Sequence, residues 1–533
     1  MRISVLSLAC TSVFALLTPS FASAQCFEAV VTGSDTFHGF PGDQFGQAVG
    51  LSADYAISGA HFHDGLGTDS GSAYIFERIG GVWQEVIELE ASDITTGDRY
   101  GWAAGITSEV AAVGARYNDD AGYGSGSIYI YERVGGTWSE TAKVVASVET
   151  ESDFYGNSVA TARDIVATGA PSFDGDGVDY GAVYVIEKDV GGWSETAILT
   201  ASDAEIGDNF GTDVAIDSGA LVVGVKGGDD FGDQSGAAYV FEKIDGSWTE
   251  TAKLLPPDGG AGDGFGNAVA IHKKTIVIGA ILDDDQGTDS GSAYVYQKQA
   301  GSWNYIAKLE ASNADEYDYF GASVTVSDDV ILVGAWGAEA GGIELGAAYK
   351  FQNLNDQWIE TSILTVGGTE ISPHFGYTLE LSNGTGMIAS RGELGGGVAR
   401  FFTDMDKTPL YGSNCPGTGG IAPTLSMSGC PAPGGAASID IKSGLGGSMA
   451  FLFVGLTPLN TALPSGCNLL VDPFPRYYPL PLAGAGAGTG SVSLGIGVPT
   501  NLPSTSIYMQ AILLDSGVVD GYTVTNGLEL IIP

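Results

Sequence analysis

Carboxylates are the side chains best placed to do chemistry in this 533-residue chain, and they come in clusters. Asp283, Asp285 and Asp289 lie in "ILDDDQGTDSG", and Asp174, Asp176 and Asp179 lie in "PSFDGDGVDYG". Three acids in a short glycine-rich loop could supply part of the shell of about six to eight oxygens that calcium requires. One phase is acidic in successive loops of this kind, at Asp64, Asp119, Asp174, Asp229, Asp284 and Glu339, which makes it a candidate partner-binding ring. Asp and Gly also form turns through Asx hydrogen bonds, and that reading is preferred over a metal site. The segment "HFHD" adds His61 and His63 beside Asp64, in a chain with five histidines. No His-Glu-x-x-His, Gly-x-Ser-x-Gly, phosphate-cradling glycine loop or regular zinc spacing occurs, so no catalytic or cofactor-binding residue is assigned.

The elements that must position these loops repeat. Aromatic-glycine pairs begin at Phe45, Tyr100, Tyr155, Phe210, Phe265, Phe320 and Phe375, each 55 residues after the last. Trp83, Trp138, Trp193, Trp248, Trp303 and Trp358 keep the same period, as do Tyr74, Tyr129, Tyr184, Tyr239, Tyr294 and Tyr349. One unit divides into "FGQAVGLS", "YAISGA", "GSAYIFER" and "WQEVIELEA", four short strands separated by turns. Third strands such as "AYIF" and "VYVI" are apolar on both faces, so each sheet must be covered twice. Radially packed blades supply that cover, and the expected fold is all-β: a seven-bladed β-propeller. The period-locked tyrosines and tryptophans are read as blade packing rather than a sugar platform. Asp43, Asp98, Asp153, Asp208, Asp263 and Asp318, each two residues before an aromatic-glycine pair, are read as turn formers.

The last unit lacks its fourth strand, and "FEAVVTGSD" at residues 27–35 resembles "VIELEASD" at residues 86–93. The N-terminal strand is therefore expected to complete the last blade and bury its edge. After Thr403 the period stops, and "ASIDIKSG", "MAFLFVGL" and "SIYMQAILL" suggest a small C-terminal β-sandwich over residues 404–533, behind a propeller spanning residues 25–403.

Export is expected from the first residues: Arg2, an apolar run and "ASA" ending at Ala24 read as a signal peptide cleaved after Ala24. No later stretch has the length of a membrane-spanning helix. Four cysteines would then remain, Cys26, Cys415, Cys430 and Cys467, expected to form two disulfides of open pairing. With 64 acidic and 21 basic residues and a net charge of −43, the chain should repel nucleic acid and anionic lipid.

The "FG … GA/GAP" cadence over residues 27–403 resembles the FG-GAP repeat, the blade unit of the integrin alpha-chain propeller. Units with "DSGSAYVY" followed by a "GSW" turn are most similar to a bacterial FG-GAP subfamily. The resemblance implies an extracellular adhesion or recognition role. It also implies calcium in the loop between first and second strands, yet here those loops are turns such as "SADY", "ARDI" and "SDDV", too short for that shell. Arg163-Asp164 is then a tight turn. The C-terminal segment resembles a module found behind various domains of secreted environmental bacterial proteins, where it would serve retention or sorting.

The expected function is non-enzymatic recognition of an extracellular protein or glycan, with calcium as a possible cofactor. A hydrolase using loop carboxylates and a structural surface-layer component are the alternatives. Strand parity puts the second-to-third and fourth-to-first loops on one acidic face. Arg78, Arg133, Lys188, Lys243 and Lys298 should sit opposite, at third-to-fourth turns, giving a charge-polarised disc.

Overall fold

The computed structural model describes residues 29–36, 42–148, 151–174, 180–339, 343–354, 356–366, 374–402, 410–411, 423–429, 436–456, 458–462, 468–471, 477–497, 505–518 and 522–532. The segment read as an export signal, Cys26, Cys415, Cys430, Cys467, Asp176 and Asp179 lie outside these residues. Among the described residues the regular structure is β-strand, apart from one 3-10 turn at Glu393–Gly395.

The chain begins with strand β1 (Ala29–Val31). The first full unit is β2 (Phe45–Leu51), β3 (Tyr55–Ala60), β4 (Ser72–Ile79) and β5 (Val82–Leu89), hydrogen-bonded in that order as an antiparallel sheet. Five more sheets copy it, and the last consists of Phe375–Ser382, Thr385–Ser390 and Val398–Phe402 with β1 on its outer edge. Ala29 pairs with Phe401 and Val31 with Ala399, so seven four-stranded sheets form a β-propeller closed by the N-terminal strand.

Packing explains the sequence landmarks. Each aromatic of an aromatic-glycine pair is buried against an aromatic on the third strand of its own blade, as in Phe45 with Tyr74 (5.7 Å between ring centroids) and Tyr155 with Tyr184 (5.0 Å). Every residue from Tyr55 to Ala60 is buried, which accounts for the absence of a polar face on these inner strands. Blades are also tied at the rim: Ser92, Ser147, Ser202 and Ser312 each donate backbone N–H and Oγ–H to a glutamate of the next blade, Glu140, Glu195, Glu250 and Glu360. Ser34, just past β1, makes the same pair of bonds to Glu85 at 2.8 and 2.7 Å. The junction between the last and first blades is thus built like the others.

The C-terminal strands form sheets of five, three and two strands. They enclose a core including Leu425, Ile441, Leu452, Met509 and Leu513, against which Ile359 of blade six packs. Lys442 reaches the same blade, 3.5 Å from Glu360. No helix among the described residues is long and apolar enough to cross a membrane.

Closure rests on the stack of Trp83 on Phe401, with ring centroids 4.1 Å apart and planes 10° from parallel. Phe401 is fully buried. Phe401→Ala is expected to lower unfolding free energy by about 3–5 kcal/mol in urea titrations. Val190→Ala, at a fully exposed turn position, should change it by less than about 0.5 kcal/mol.

Candidate functional site

The second-to-third and fourth-to-first loops emerge on one face, around the end of a channel lined by the first strand of every blade. Turn chemistry holds these loops. Asp98, Asp208, Asp263 and Asp318 accept the N–H of Thr95, Glu205, Gly260 and Asp315 at 2.7–2.9 Å, closing the turn before each first strand. In the acidic ring, Asp64, Asp229 and Asp284 accept the N–H of Asp69, Gln234 and Asp289, all at 2.8 Å, across their own loops. Asp119 and Glu339 are exposed, and Asp174 is half-buried.

The blade-five acids do not converge as a metal shell. Lys308 Nζ stands 3.0 Å from Asp283 and 3.1 Å from Asp258, and also bonds Asp285. Asp289 does not join Asp283 and Asp285 in a cluster of ligand atoms within 4.8 Å. The space among Asp258, Asp283 and Asp285 holds an ammonium of the chain itself. Burial would lower the Lys308 pKa, but its bonds to Asp285 and Asp283 outweigh this and raise it. Lys143, with Asp93 and Asp120, and Lys253, with Asp203 and Asp230, repeat the arrangement in blades two and four. Of the blade-three acids only Asp174 is among the described residues.

Blade one differs. Here one imidazole nitrogen of His63 and one oxygen each of Asp35 and Glu88 lie within 4.8 Å of one another, the only such group among the described residues. His63 Nε2 is 3.5 Å from Asp35 and 4.0 Å from Asp43; Nδ1 accepts the Gly65 N–H at 3.2 Å and lies 3.0 Å from Ser72 Oγ. Burial raises the Glu88 carboxyl above the usual range, against the hydrogen bond it accepts from Ser72.

On the opposite face Lys188, Lys243 and Lys298 stand at the ends of third strands, beside the third-to-fourth turns as expected, and they are engaged in ion pairs. Lys188, Lys243 and Lys298 reach back to Glu132, Glu187 and Glu242 of the preceding blade at 2.9, 2.7 and 2.6 Å. The same glutamates accept the indole N–H of Trp193, Trp248 and Trp303. Arg133 lies 3.7 Å from Glu77. These cations serve as clasps between blades. Arg163 and Asp164 form the exposed tight turn expected of them.

Positive charge collects instead at the centre of the acidic face. Arg116 stacks on Trp102, Phe154 and Tyr117 at 4.3, 4.5 and 4.9 Å and donates to Asn157 Oδ1 at 2.8 Å. Arg99 lies over Tyr117 and Phe62 at 4.6 and 4.9 Å. On blade seven Arg391 covers Tyr377 at 3.8 Å, and on blade six Trp336 stacks on Tyr319 at 4.4 Å. Trp102, Trp336, Tyr377 and Arg391 line the channel, which encloses about 760 Å³. His61 is 2% exposed and is pushed down to about 3 by burial, then by Arg391, Arg99 and Arg116. Sequence reading missed this collar. The one signal for it was the bulky residues Trp102 and Tyr377 at a phase that is otherwise Gln47, Asn157, Thr212, Asn267 and Ala322.

Two carboxylates stand in the channel wall. Burial pushes Glu380 up to about 7, against bonds from Leu381 N–H and Thr325 Oγ1 at 3.1 and 2.9 Å. It pushes Asp213 up to about 6, against the N–H groups of Val269 and Val214. Each keeps its proton to higher pH in the native state than in the unfolded chain. The unfolded state therefore deprotonates first, and stability falls as pH rises from the ordinary carboxylate range to about 7, then levels. Glu380→Gln should melt at the same temperature as the parent near pH 4 and above it at pH 8, as read by calorimetry.

The crystal structure of the Chaetomium thermophilum Sqt1 matches at 12% identity with a TM-score of 0.39, covering 64% of this chain and 79% of that one. No curated protein matches the chain. The family model described as FG-GAP repeat matches residues 28–76, 83–131, 138–186, 193–241, 248–296 and 303–351. Each segment runs from a fourth strand through the third strand of the next blade, and the first begins at the closing N-terminal strand. With over half of its residues matched in this way, the chain belongs to the FG-GAP repeat family.

Proposed function

We propose that this chain is an exported, non-enzymatic recognition protein that binds an acidic glycan at the mouth of its propeller channel. The carrying observation is charge accounting. In a chain of net charge −43, Arg99, Arg116 and Arg391 make no ion pair with a carboxylate among the described residues. No carboxylate enters the electrostatic surroundings of Arg116, and its Nε has no hydrogen-bond partner. Guanidinium groups offer carboxylates or sulfates a planar fork of donors, and the aromatic faces beside them offer sugar rings a stacking surface. The acidic rim would repel polyanions that approach elsewhere and admit only a chain whose charge reaches the centre. The C-terminal sandwich fits a spacer or retention element. The loop acids, tied to lysines and turn N–H groups, support neither calcium nor a cationic partner as the principal ligand.

A hydrolytic reading rests on one observation, the proton-retaining pair Glu380 and Asp213 in the channel wall. They lie below the collar, where a reaching substrate would meet them.

An array of neutral, uronate-bearing and sulfated glycans, probed with the purified chain, tests both readings. Binding confined to acidic glycans, weakened roughly tenfold or more by Arg116→Ala and reduced by added salt, is expected. Equal binding of neutral glycans, or an unchanged affinity in Arg116→Ala, would overturn the proposal. Glycan cleavage lost in Glu380→Gln would establish the hydrolytic reading instead.

A further inference from the structure

The 55-residue period allows blade one to be compared with its copies position by position. The residue in phase with Glu88 is Lys143, Ile198, Lys253, Lys308 and Ile363 in the next five blades. The three lysines do one job, each inserting an ammonium between acids of the fourth-to-first and second-to-third loops. A tyrosine hydroxyl helps hold the first of these acids, as in Tyr129 with Asp93 and Tyr239 with Asp203. Blade one keeps the tyrosine and the acid, since Tyr74 donates to Asp35 at 2.8 Å. The lysine, however, has become Glu88. At the neighbouring phase, where blade two has Asn118 and blade five Asp283, it has His63.

The substitutions turn a filled cation position into a set of donors. Asp35, Glu88 and His63 face one another with no ammonium between them, in a place where three sister blades supply one. His63 is 7% exposed, and its Nε2 donates no hydrogen bond, though it points toward Asp35 at 3.5 Å and Asp43 at 4.0 Å. Two ligands bound tetrahedrally at about 2.1 Å from zinc would stand about 3.4 Å apart, close to the first of these distances. Ser72 supplies the outer support such a site needs. Its hydroxyl donates to Glu88 at 2.8 Å and so orients that carboxylate. Asp35 is half exposed, so the set opens to solvent on the loop face.

We propose that Asp35, His63 and Glu88 form a binding site for a first-row divalent cation of the zinc or manganese type, which takes the place of the lysine used by blades two, four and five. The donor chemistry selects the metal. One imidazole nitrogen with carboxylate oxygens suits zinc and manganese, whereas calcium asks for about six to eight oxygens at longer distances.

The test uses two variants that borrow residues from sister blades, so each is compatible with the fold. The full chain, stripped with chelator and dialysed, is titrated calorimetrically with zinc, manganese and calcium, and melted in each. The parent should take up one equivalent of zinc or manganese with a raised melting temperature, and calcium should bind more weakly. Glu88→Lys should abolish uptake without lowering the metal-free melting temperature. His63→Asn, the blade-two residue, should weaken it by roughly 10- to 100-fold. No uptake by the parent, or equal uptake by the parent and a cooperatively melting Glu88→Lys or His63→Asn chain, would overturn the proposal.

Discussion

The whole ring depends on one close backbone approach. Gly71 lies in a left-handed conformation with φ of +86°, and its backbone runs beside that of Tyr100 in the next blade, as a short parallel bridge. A Cβ on Gly71 would stand 2.0 Å from the Tyr100 carbonyl oxygen, so no other residue fits without moving the blades apart. The bridge recurs at every junction from Gly126 with Tyr155 to Gly346 with Phe375. At the last junction Phe45 N–H donates to Gly396 at 2.7 Å, and Gly397 meets the Phe45 carbonyl as closely as Gly71 meets that of Tyr100. It sets the blade spacing at the loop face. The loops there can consequently vary in sequence while their ends stay fixed.

Electrostatics follow from that spacing. A chain this acidic would repel itself if its carboxylates were spread evenly, and its few cations are used where blades meet. Lys188, Lys243 and Lys298 clasp the glutamates of preceding blades on one face, and Lys143, Lys253 and Lys308 bind loop acids on the other. What distinguishes the arginines at the channel mouth is that they lean on aromatic rings rather than on carboxylates. A guanidinium held that way keeps its donors available at a cost in desolvation, and burial accordingly lowers the Arg116 pKa.

Most of the architecture was legible from period alone. The four strands of the first unit, the N-terminal strand completing the last blade and the burial of the phase-locked tyrosines all follow from patterns that the repeat copies. Asp98 and its counterparts were legible as turn formers because an Asx bond is local, spanning three residues. The tie of Asp283 and Asp285 to a lysine was not legible, for the complementary reason. Close spacing in sequence says nothing of Lys308, which arrives from the far edge of the sheet.

By itself the sequence determined what every blade shares: strand order, turn positions, core aromatics and the glycines of close approach, all of them properties with one period. Tertiary structure decided what belongs to no single blade. Arg116 and Arg391 sit on blades two and seven and are brought to one mouth only because the ring closes. Likewise Asp35 meets His63 and Glu88 because β1 is carried round to become the neighbour of the first blade. A linear repeat records each residue's place within its unit. The contacts among units depend on the curvature that packing gives them, and curvature is a property of the closed ring.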